Sequence, residues 1–354
     1  MHKRKIKKYI NKTQEMFKLI PHIPALKPIL CSFAAICILL VLIPYLITRI
    51  VPADEPEKDL IPEIDFEKVE IPKSINVYRT EKSKTETVDF EEYVKCVVSC
   101  EMPSSFHIEA LKAQAVAART YSLARVLKAA GYGNSDAHPN APLCDSTHCQ
   151  VYSSKSQLRE LKGDEWMDTG WNKICEAVNS TEGQLLYYGD ELVEQALFHS
   201  SSGGRTENCE DVFAAAVPYL VSVESPFEDN ATHQNEENTF DINDFAEIIK
   251  SQYPGISFGD IKASNIRILN RSSGGRVEKM QIGNGIIEGR NVREALNLPS
   301  ANFTISTSDN KITFTSNGYG HGVGMSQYGA DGMAEKGYNY KEILNHYYKG
   351  TTVY

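Results

Sequence analysis

The run EALKAQAVAARTYSLARVL, residues 109–127, limits the fold more than any other part of this chain. On a helical wheel Ala110, Ala113, Ala117, Thr120, Tyr121, Ala124 and Leu127 share one side, with Val116 and Leu123 beside them. Ala115, Ala118 and Ser122 cover much of the opposite side. A helix that is small or apolar nearly all round has no face to give to water, so it is a buried helix with close neighbours. Arg119 in its middle then needs a partner or a function, because an unpaired buried charge is costly. The alternative is that Lys112 and Arg119, seven apart, mark a single wet stripe. The sequence leaves these two readings level.

The elements around that helix follow from local chemistry. INVYRTEKSKTETVDF reads as a hairpin. Asp89 is placed to cap a helix over FEEYVKCVVSC, and Ser104 or Ser105 to cap the alanine-rich helix, with Glu109 in its first turn. Residues 131–183 read as loop-rich, 184–199 as strands and the acidic stretch 228–239 as a surface loop. FDINDFAEIIKSQYP is an amphipathic helix capped by Asp241 or Asn243. IRILNRSSGGRVEKMQI and FTISTSDNKITFT read as hairpins, and the chain ends in a glycine-rich loop followed by helical turns. There is no regular alternation of strand and helix, so the fold class is mixed α+β, with buried helices packed on antiparallel sheet.

Charge separates the ends of the chain. Residues 1–50 hold nine Lys/Arg against one acid, Glu15, whereas residues 51–354 hold 28 basic and 45 acidic side chains, a balance of −17. A body that acidic repels nucleic acid. The 19-residue uncharged run from Ile29 to Ile47 is long enough to span a bilayer, and basic residues precede it while PADEPEKD follows. By the positive-inside rule residues 1–28 form a short cytoplasmic tail, 29–50 a transmembrane helix, and the rest lies outside the cell membrane. The run is long for a cleaved signal peptide, and no small-residue cleavage site follows it. Pro52, Pro56, Pro62 and Pro72 among many acids make 51–73 a stiff, extended linker to a domain over 74–354. Of the eight cysteines, Cys31 and Cys37 lie in the anchor, Cys96 and Cys100 share a helix face, and Cys175 and Cys209 are isolated, with a disulfide between them left open.

Four constellations are able to carry chemistry. Glu101, in CEMPSSF at the junction of two helical patterns, is by local pattern a cap, but a glutamate against an apolar helix can also hold its proton and serve as a general acid. HSSSGGRTENCEDVF, residues 199–213, is a ligand-binding turn or a plain tight one, and it lacks the nucleophile-elbow spacing. GYGHGVGMSQYGA, residues 318–330, brings backbone close to something and presents His321, Ser326, Gln327 and Tyr328. Its spacing fits neither nucleotide loop pattern. HPNAPLCDSTHC gathers His138, Cys144, His148 and Cys149 within twelve residues, a donor set suited to tetrahedral zinc. Such a metal is structural if it clamps the loop and catalytic if one position is open.

Taken together, EEYVKCVVSCEMPSSFHIEALKAQAVAARTYSLA, FHSSSGGRTENCEDVF, VPYLVSVESP, VREALNLPSANFTI and GHGVGMSQYGA, in that order, resemble the stage II sporulation protein D family, which shares its domain with amidase enhancers. The resemblance runs from about residue 74 to the end, with Phe213 where the family often has tryptophan. It implies a membrane-anchored lytic transglycosylase. Such an enzyme cleaves the N-acetylmuramic acid–β-1,4–N-acetylglucosamine bond of peptide-stripped glycan strands to 1,6-anhydro ends during forespore engulfment. It implies stage II sporulation proteins P and M as partners and the sporulation septum as the location. By motif, Glu101 matches the catalytic glutamate. Arg119, Tyr121, Ser200, Ser202, His321, Gln327 and Tyr328 are expected to line the substrate cleft, and His138, Cys144, His148 and Cys149 to hold a structural zinc. Two other readings stand beside it: a noncatalytic wall-binding scaffold that stimulates an amidase, and a zinc hydrolase.

Overall fold

The computed structural model describes residues 69–354 apart from 214 and 309, all within one compact unit, Asp65–Tyr354. The expected tail, membrane helix and most of the linker, with Cys31 and Cys37, lie outside the described residues. Among the described residues no helix is long and apolar enough to cross a membrane.

Strands β1 (Ser74–Arg79) and β2 (Lys84–Asp89) form the expected antiparallel hairpin, with Ser74 opposite Asp89. Asp89 then caps α1 (Phe90–Glu101), its side chain accepting from the Glu92 N–H. Helix α2 (Ile108–Tyr132) starts later than expected. His107, not Ser104 or Ser105, is its cap, and the imidazole accepts from the Glu109 N–H. The delay is made by Pro103, whose carbonyl accepts from the Phe106 N–H in a turn between the helices.

β3 (Leu143–Cys144) runs parallel to β1, so this sheet is not wholly antiparallel. The stretch expected to be loop-rich contains α3 (Lys155–Lys162), a π-helical turn (Met167–Trp171) and α4 (Asn172–Asn179). The signals were short: a capping box at Ser154 and Gln157 for α3, and Ile174, Ala177 and Val178 on one face of α4. β4 (Leu186–Tyr188), β5 (Glu191–Leu192) and β6 (Phe198–His199) follow. β7 (Glu236–Asp241) is a strand where a loop was expected. Its polar sequence suits it to the edge of a sheet, where it pairs with β12 below.

α5 (Ile242–Gln252) is capped by Asp241. Beyond it lie β8 (Ile266–Arg271), β9 (Val277–Ile282) and β10 (Gly285–Glu288), α6 (Gly289–Leu296), β11 (Phe303–Ser308) and β12 (Lys311–Ser316). Two three-stranded antiparallel sheets, β8–β9–β10 and β7–β12–β11, share a core of Phe245, Phe258, Met280, Val292 and Phe314 with α5 and α6. β13 (Met325–Ser326) pairs parallel with β6, α7 (Gln327–Glu335) and α8 (Tyr340–Tyr347) follow, and β14 (Thr351–Val353) pairs antiparallel with β4. The class is α+β, built from several small sheets rather than one. The six described cysteines are all free, Cys175 and Cys209 included.

Helix α2 is the buried helix its composition demands. Leu111, Ala113, Ala115, Val116, Ala117, Ala118 and Leu123 have no exposed surface, and α1, α4, α7 and α8 pack around them. Small side chains let those backbones approach closely, and extra volume there has nowhere to go. Arg119 is fully buried and paired, so the wet-stripe reading does not hold. Its Nε and Nη2 each meet one carboxylate oxygen of Glu91 at 2.7 Å, Nη2 also donates to the Val178 carbonyl, and Nη1 donates to the Gln184 carbonyl. One guanidinium thus ties α1, α2, the end of α4 and the start of β4.

Removing one partner of a buried pair strands the other charge and the carbonyls it served. Arg119→Met is expected to destabilise the protein by about 3–5 kcal/mol in denaturant unfolding. Arg119→Met with Glu91→Leu should recover part of that loss, and no recovery would show that the pair is not the cause.

Candidate active site and metal-binding loop

Helix α1 ends at Glu101 because Pro103 follows two residues later. The residue before a proline is pushed out of helical geometry, and Met102 is accordingly extended (φ −130°, ψ 137°). Met102 buries its side chain and the following turn is pinned at each step. Trp166 Nε1 donates to Ser104 Oγ at 3.0 Å, Lys173 donates to the Phe106 carbonyl, and Asp331 on α7 accepts from the His107 N–H. Phe106 meets Tyr328 edge-on, ring centres 4.9 Å apart.

The Glu101 carboxyl is therefore held rather than solvated. Its Oε1 accepts from the Val151 N–H at 2.7 Å. Burial pushes its pKa up from the ordinary 4.5, and the Val151 N–H, which favours the charged form, only partly opposes this. No other carboxylate contributes to the shift. The arrangement suits a group that holds a proton and can give it to a substrate oxygen.

The loop that supplies Val151 begins with the His/Cys set. One donor atom from each of His138, Cys144, His148 and Cys149 lies within 4.8 Å of the others. His138 Nε2 is 3.4 Å from Cys149 Sγ, and His148 Nδ1 is 3.8 Å and 3.6 Å from the sulfurs of Cys144 and Cys149. Bonds of about 2.0–2.3 Å in a tetrahedron put donors roughly 3.3–3.8 Å apart, so the set fits zinc. The other nitrogen of His138 faces the Ala141 carbonyl at 2.7 Å, the outer contact that orients a ligating imidazole. Burial, with His138 alongside, lowers the His148 pKa and keeps that ring neutral. Burial pushes the Cys149 thiol up to about 12, a cost that a bound cation reverses. The adjacency of His148 and Cys149 is accommodated by a turn in which Ser146 accepts from both backbone N–H groups.

The remaining expected site residues divide into three places. Gln327, Tyr328 and Ser200 lie beside the turn after Glu101: the Tyr328 N–H donates to the Ser200 carbonyl, and Gln327 Nε2 reaches Gln114 on α2 at 3.3 Å. Tyr121 is buried on the side of the His/Cys loop, under the Arg125 guanidinium at 5.0 Å, and burial raises its pKa, with smaller contributions from Cys149 and Cys144. His321 lies apart from both, against His199 and Phe213, with ring centres 5.6 Å from each. Two expectations are corrected. Arg119 and Ser202 have no exposed surface, so neither lines an open cleft: Arg119 is engaged by Glu91, and Ser202 by the buried carboxylate of Glu228.

Glu228 explains the Ser/Gly turn. Its carboxylate accepts from the Ser202 and Gly203 N–H groups and from the hydroxyls of Ser202, Ser225 and Ser326. The turn does bind a carboxylate, and it is the chain's own. Ser326 is also the cap of α7, so Glu228 fixes where Gln327 and Tyr328 begin. The glycine-rich loop likewise approaches protein. A Cβ on Gly322 would sit 2.2 Å from Arg276 Cζ, and one on Gly324 would sit 2.0 Å from the Leu197 carbonyl oxygen. The sequence reading missed Val151, which acts through its backbone and leaves no side-chain signal, and Glu228, hidden in an acidic stretch.

The profile described as "Stage II sporulation protein" matches residues 78–188, and "Domain of unknown function (DUF8618)" matches residues 210–324. Stage II sporulation protein D of Bacillus amyloliquefaciens is 38% identical over 344 residues, 93% of this chain and 96% of that protein. The protein of the same description from Bacillus subtilis (strain 168) is 39% identical over 283 residues, 80% of this chain and 79% of its own length. An amidase enhancer of Bacillus subtilis (strain 168) is 29% identical over 309 residues, 73% of this chain and 40% of that protein.

A raised carboxyl pKa is also a stability statement. The folded state binds the Glu101 proton more tightly than the unfolded chain does, so this group's contribution is fully present below the unfolded value of 4.5 and is lost as pH rises through the raised folded value. Glu101→Gln keeps the Val151 contact and carries no charge. It is expected to melt above the wild type at pH 7, with the difference closing below about pH 4. A variant that melts below the wild type at pH 7 would show that the carboxylate is stabilising there.

Proposed function

This chain belongs to the stage II sporulation protein D family, a family of sporulation proteins, and from that membership and the setting of Glu101 we propose that it is a lytic transglycosylase of peptidoglycan. One observation carries the reading. A single half-buried carboxyl, its pKa raised by that burial, sits at a pinned helix end against one backbone donor, with no second carboxylate perturbing it. Paired-carboxylate glycosidases need a partner carboxylate about 5–9.5 Å away to act as nucleophile or to activate water. A transglycosylase does not.

The chemistry runs through one group. Neutral Glu101 gives its proton to the glycosidic oxygen as the bond from C1 of the muramyl residue breaks. Charge builds on the ring as an oxocarbenium-like state. The 6-hydroxyl of the same residue closes on C1, and its proton passes to the Glu101 carboxylate. The product is a 1,6-anhydro end, and the enzyme regains its starting protonation state. The Val151 N–H steadies the carboxylate between the two transfers, and Tyr328 and Ser200 flank the same turn.

In this reading His138, Cys144, His148 and Cys149 hold a structural zinc. The ion would supply a cross-link for the loop that carries Val151, and so a fixed position for its N–H. Residues 29–50 anchor the protein with residues 74–354 outside the cell membrane, at the sporulation septum. Its partners are the stage II sporulation proteins P and M. The amidase-enhancer relative supports the second reading, a noncatalytic scaffold on the wall that stimulates an amidase.

Mass spectrometry of digests of peptide-free glycan strands separates the readings. Anhydro-ended fragments are expected from the wild type, with Glu101→Gln slower by at least about a hundredfold, the usual share of a general acid. Reducing ends would mean hydrolysis, and binding without cleavage by either protein would favour the scaffold. For the metal, purified protein is expected to carry one zinc per chain. Cys149→Ser should lose it and melt lower, and an unchanged melting temperature would remove the structural role.

A further inference from the structure

A cavity of about 470 Å³ opens between the segment after β6, strand β9, helix α6 and the glycine-rich loop. Its lining includes Glu207, Phe213, Arg276, Arg293 and His321, and none of its lining residues comes from the Glu101 turn or the metal loop. Its volume is in the range of small-molecule sites.

The wall is built around a buried ion pair. Arg276 Nη1 and Glu207 Oε1 are 3.3 Å apart, with side chains 5% and 1% exposed. Gly274 and Gly322 press on this pair: a Cβ at 274 would lie 1.9 Å from Glu207 Oε1. Yet each partner keeps a buried polar atom without a hydrogen bond, Glu207 Oε2 and Arg276 Nε. Such orphans are expensive unless something completes them. Arg293 is fixed differently. Its Nε donates to the carbonyls of Leu298 and Pro299, which holds the guanidinium in place, and its two Nη groups make no hydrogen bond among the described residues. Burial and the nearby Arg276 and Arg293 push the His321 pKa down to about 4, so the imidazole is neutral and adds no further cation to the wall. Phe213 meets His321 edge-on and keeps 40% of its surface exposed.

These features select a ligand. The orphan carboxylate oxygen asks for a hydroxyl or amide N–H, and the orphan Nε asks for an acceptor. The free guanidinium fork matches one carboxylate. The rim carries Glu210, Asp211, Glu278, Glu288 and Glu294 against Lys279 and Arg290, the latter paired with Glu288, and this net acidic balance disfavours densely charged polyanions while leaving room for one carboxylate at Arg293. Resting on the reading that this chain acts on peptidoglycan, we propose that the cavity is a second saccharide site that recognises the lactyl carboxylate of a muramyl residue. Arg293 holds the carboxylate, Glu207 and Arg276 pair with the sugar's polar groups, and Phe213 covers the ring. The site would let the protein hold a glycan strand away from the bond it cuts.

Calorimetric titration of the full-length protein in mild detergent tests this, with N-acetylmuramic acid, N-acetylglucosamine and a stem tripeptide as probes. N-acetylmuramic acid is expected to bind at least tenfold more tightly than N-acetylglucosamine. Arg293→Gln and Arg293→Lys should each abolish that preference, the lysine variant because it keeps the charge without the fork. Phe213→Ala, which leaves the Arg293 contacts intact, should weaken both sugars. Equal binding of the two sugars, a preference that survives Arg293→Gln in a variant that still melts cooperatively, or binding of the peptide alone would each overturn the proposal. Loss of binding in Glu101→Gln would do so too, by placing the sugar at the other site. Those failures leave the transglycosylase reading standing. Conversely, a muramyl preference dependent on Arg293, in a protein that yields no anhydro ends, would uphold the cavity and reject the cleavage.

Discussion

Helix α2 has no side that belongs in water over most of its length, and the arrangement around Glu101 follows from that constraint. Its small residues admit α1, α4, α7 and α8 at close range. Arg119 then sets α1 against it, since the only carboxylate hydrogen-bonded to that buried guanidinium among the described residues is Glu91 in the first turn of α1. With α1 fixed and Pro103 ending it, Glu101 is left half-buried at the helix end and not on a fully solvated face. The same packing that stabilises the domain raises the pKa of the carboxyl. Stability and proton binding are linked at this one residue, with a cost at neutral pH that the rest of the core offsets.

The second constraint is a carboxylate the chain binds for itself. Glu228 gathers the Ser202–Gly203 turn, Ser225 and the cap of α7, and so joins segments more than a hundred residues apart in sequence. Sequences such as HSSSGGR and GHGVG look like ligand loops because their geometry is that of ligand loops. Here the tight approach is made to Glu228, Arg276 and Leu197. The cavity that remains beside them is lined by charge that the protein leaves partly unpaired.

Much of this was legible beforehand, for particular reasons. The burial of α2 could be read from composition, the hairpins from turn chemistry and the α1 cap from Asp89. Glu101 was singled out by its position before Met-Pro and by family resemblance, since local pattern alone favours a cap. The His/Cys cluster was visible as four donor residues within twelve positions. Other features were not legible because they depend on distant contacts. Nothing in the sequence pairs Arg119 with Glu91, aims the Val151 N–H at Glu101 or separates His321 from it. Helices α3 and α4 are too short for periodicity to announce them against polar surroundings. The cap of α2 shifted to His107 because the Pro103 turn uses up the residues that precede it.

The claim that the rest depends on is that burial holds the Glu101 carboxyl protonated beyond the ordinary range. Carbon-13 NMR titration of glutamate-labelled protein, with Glu101→Gln to assign the resonance, measures it directly. A midpoint above 4.5, raised further when the loop carrying Val151 is loosened by Cys149→Ser, is the result this account requires. A midpoint at or below 4.5 would mean that the carboxyl is ionised at working pH and cannot be the acid, whatever the family resemblance suggests.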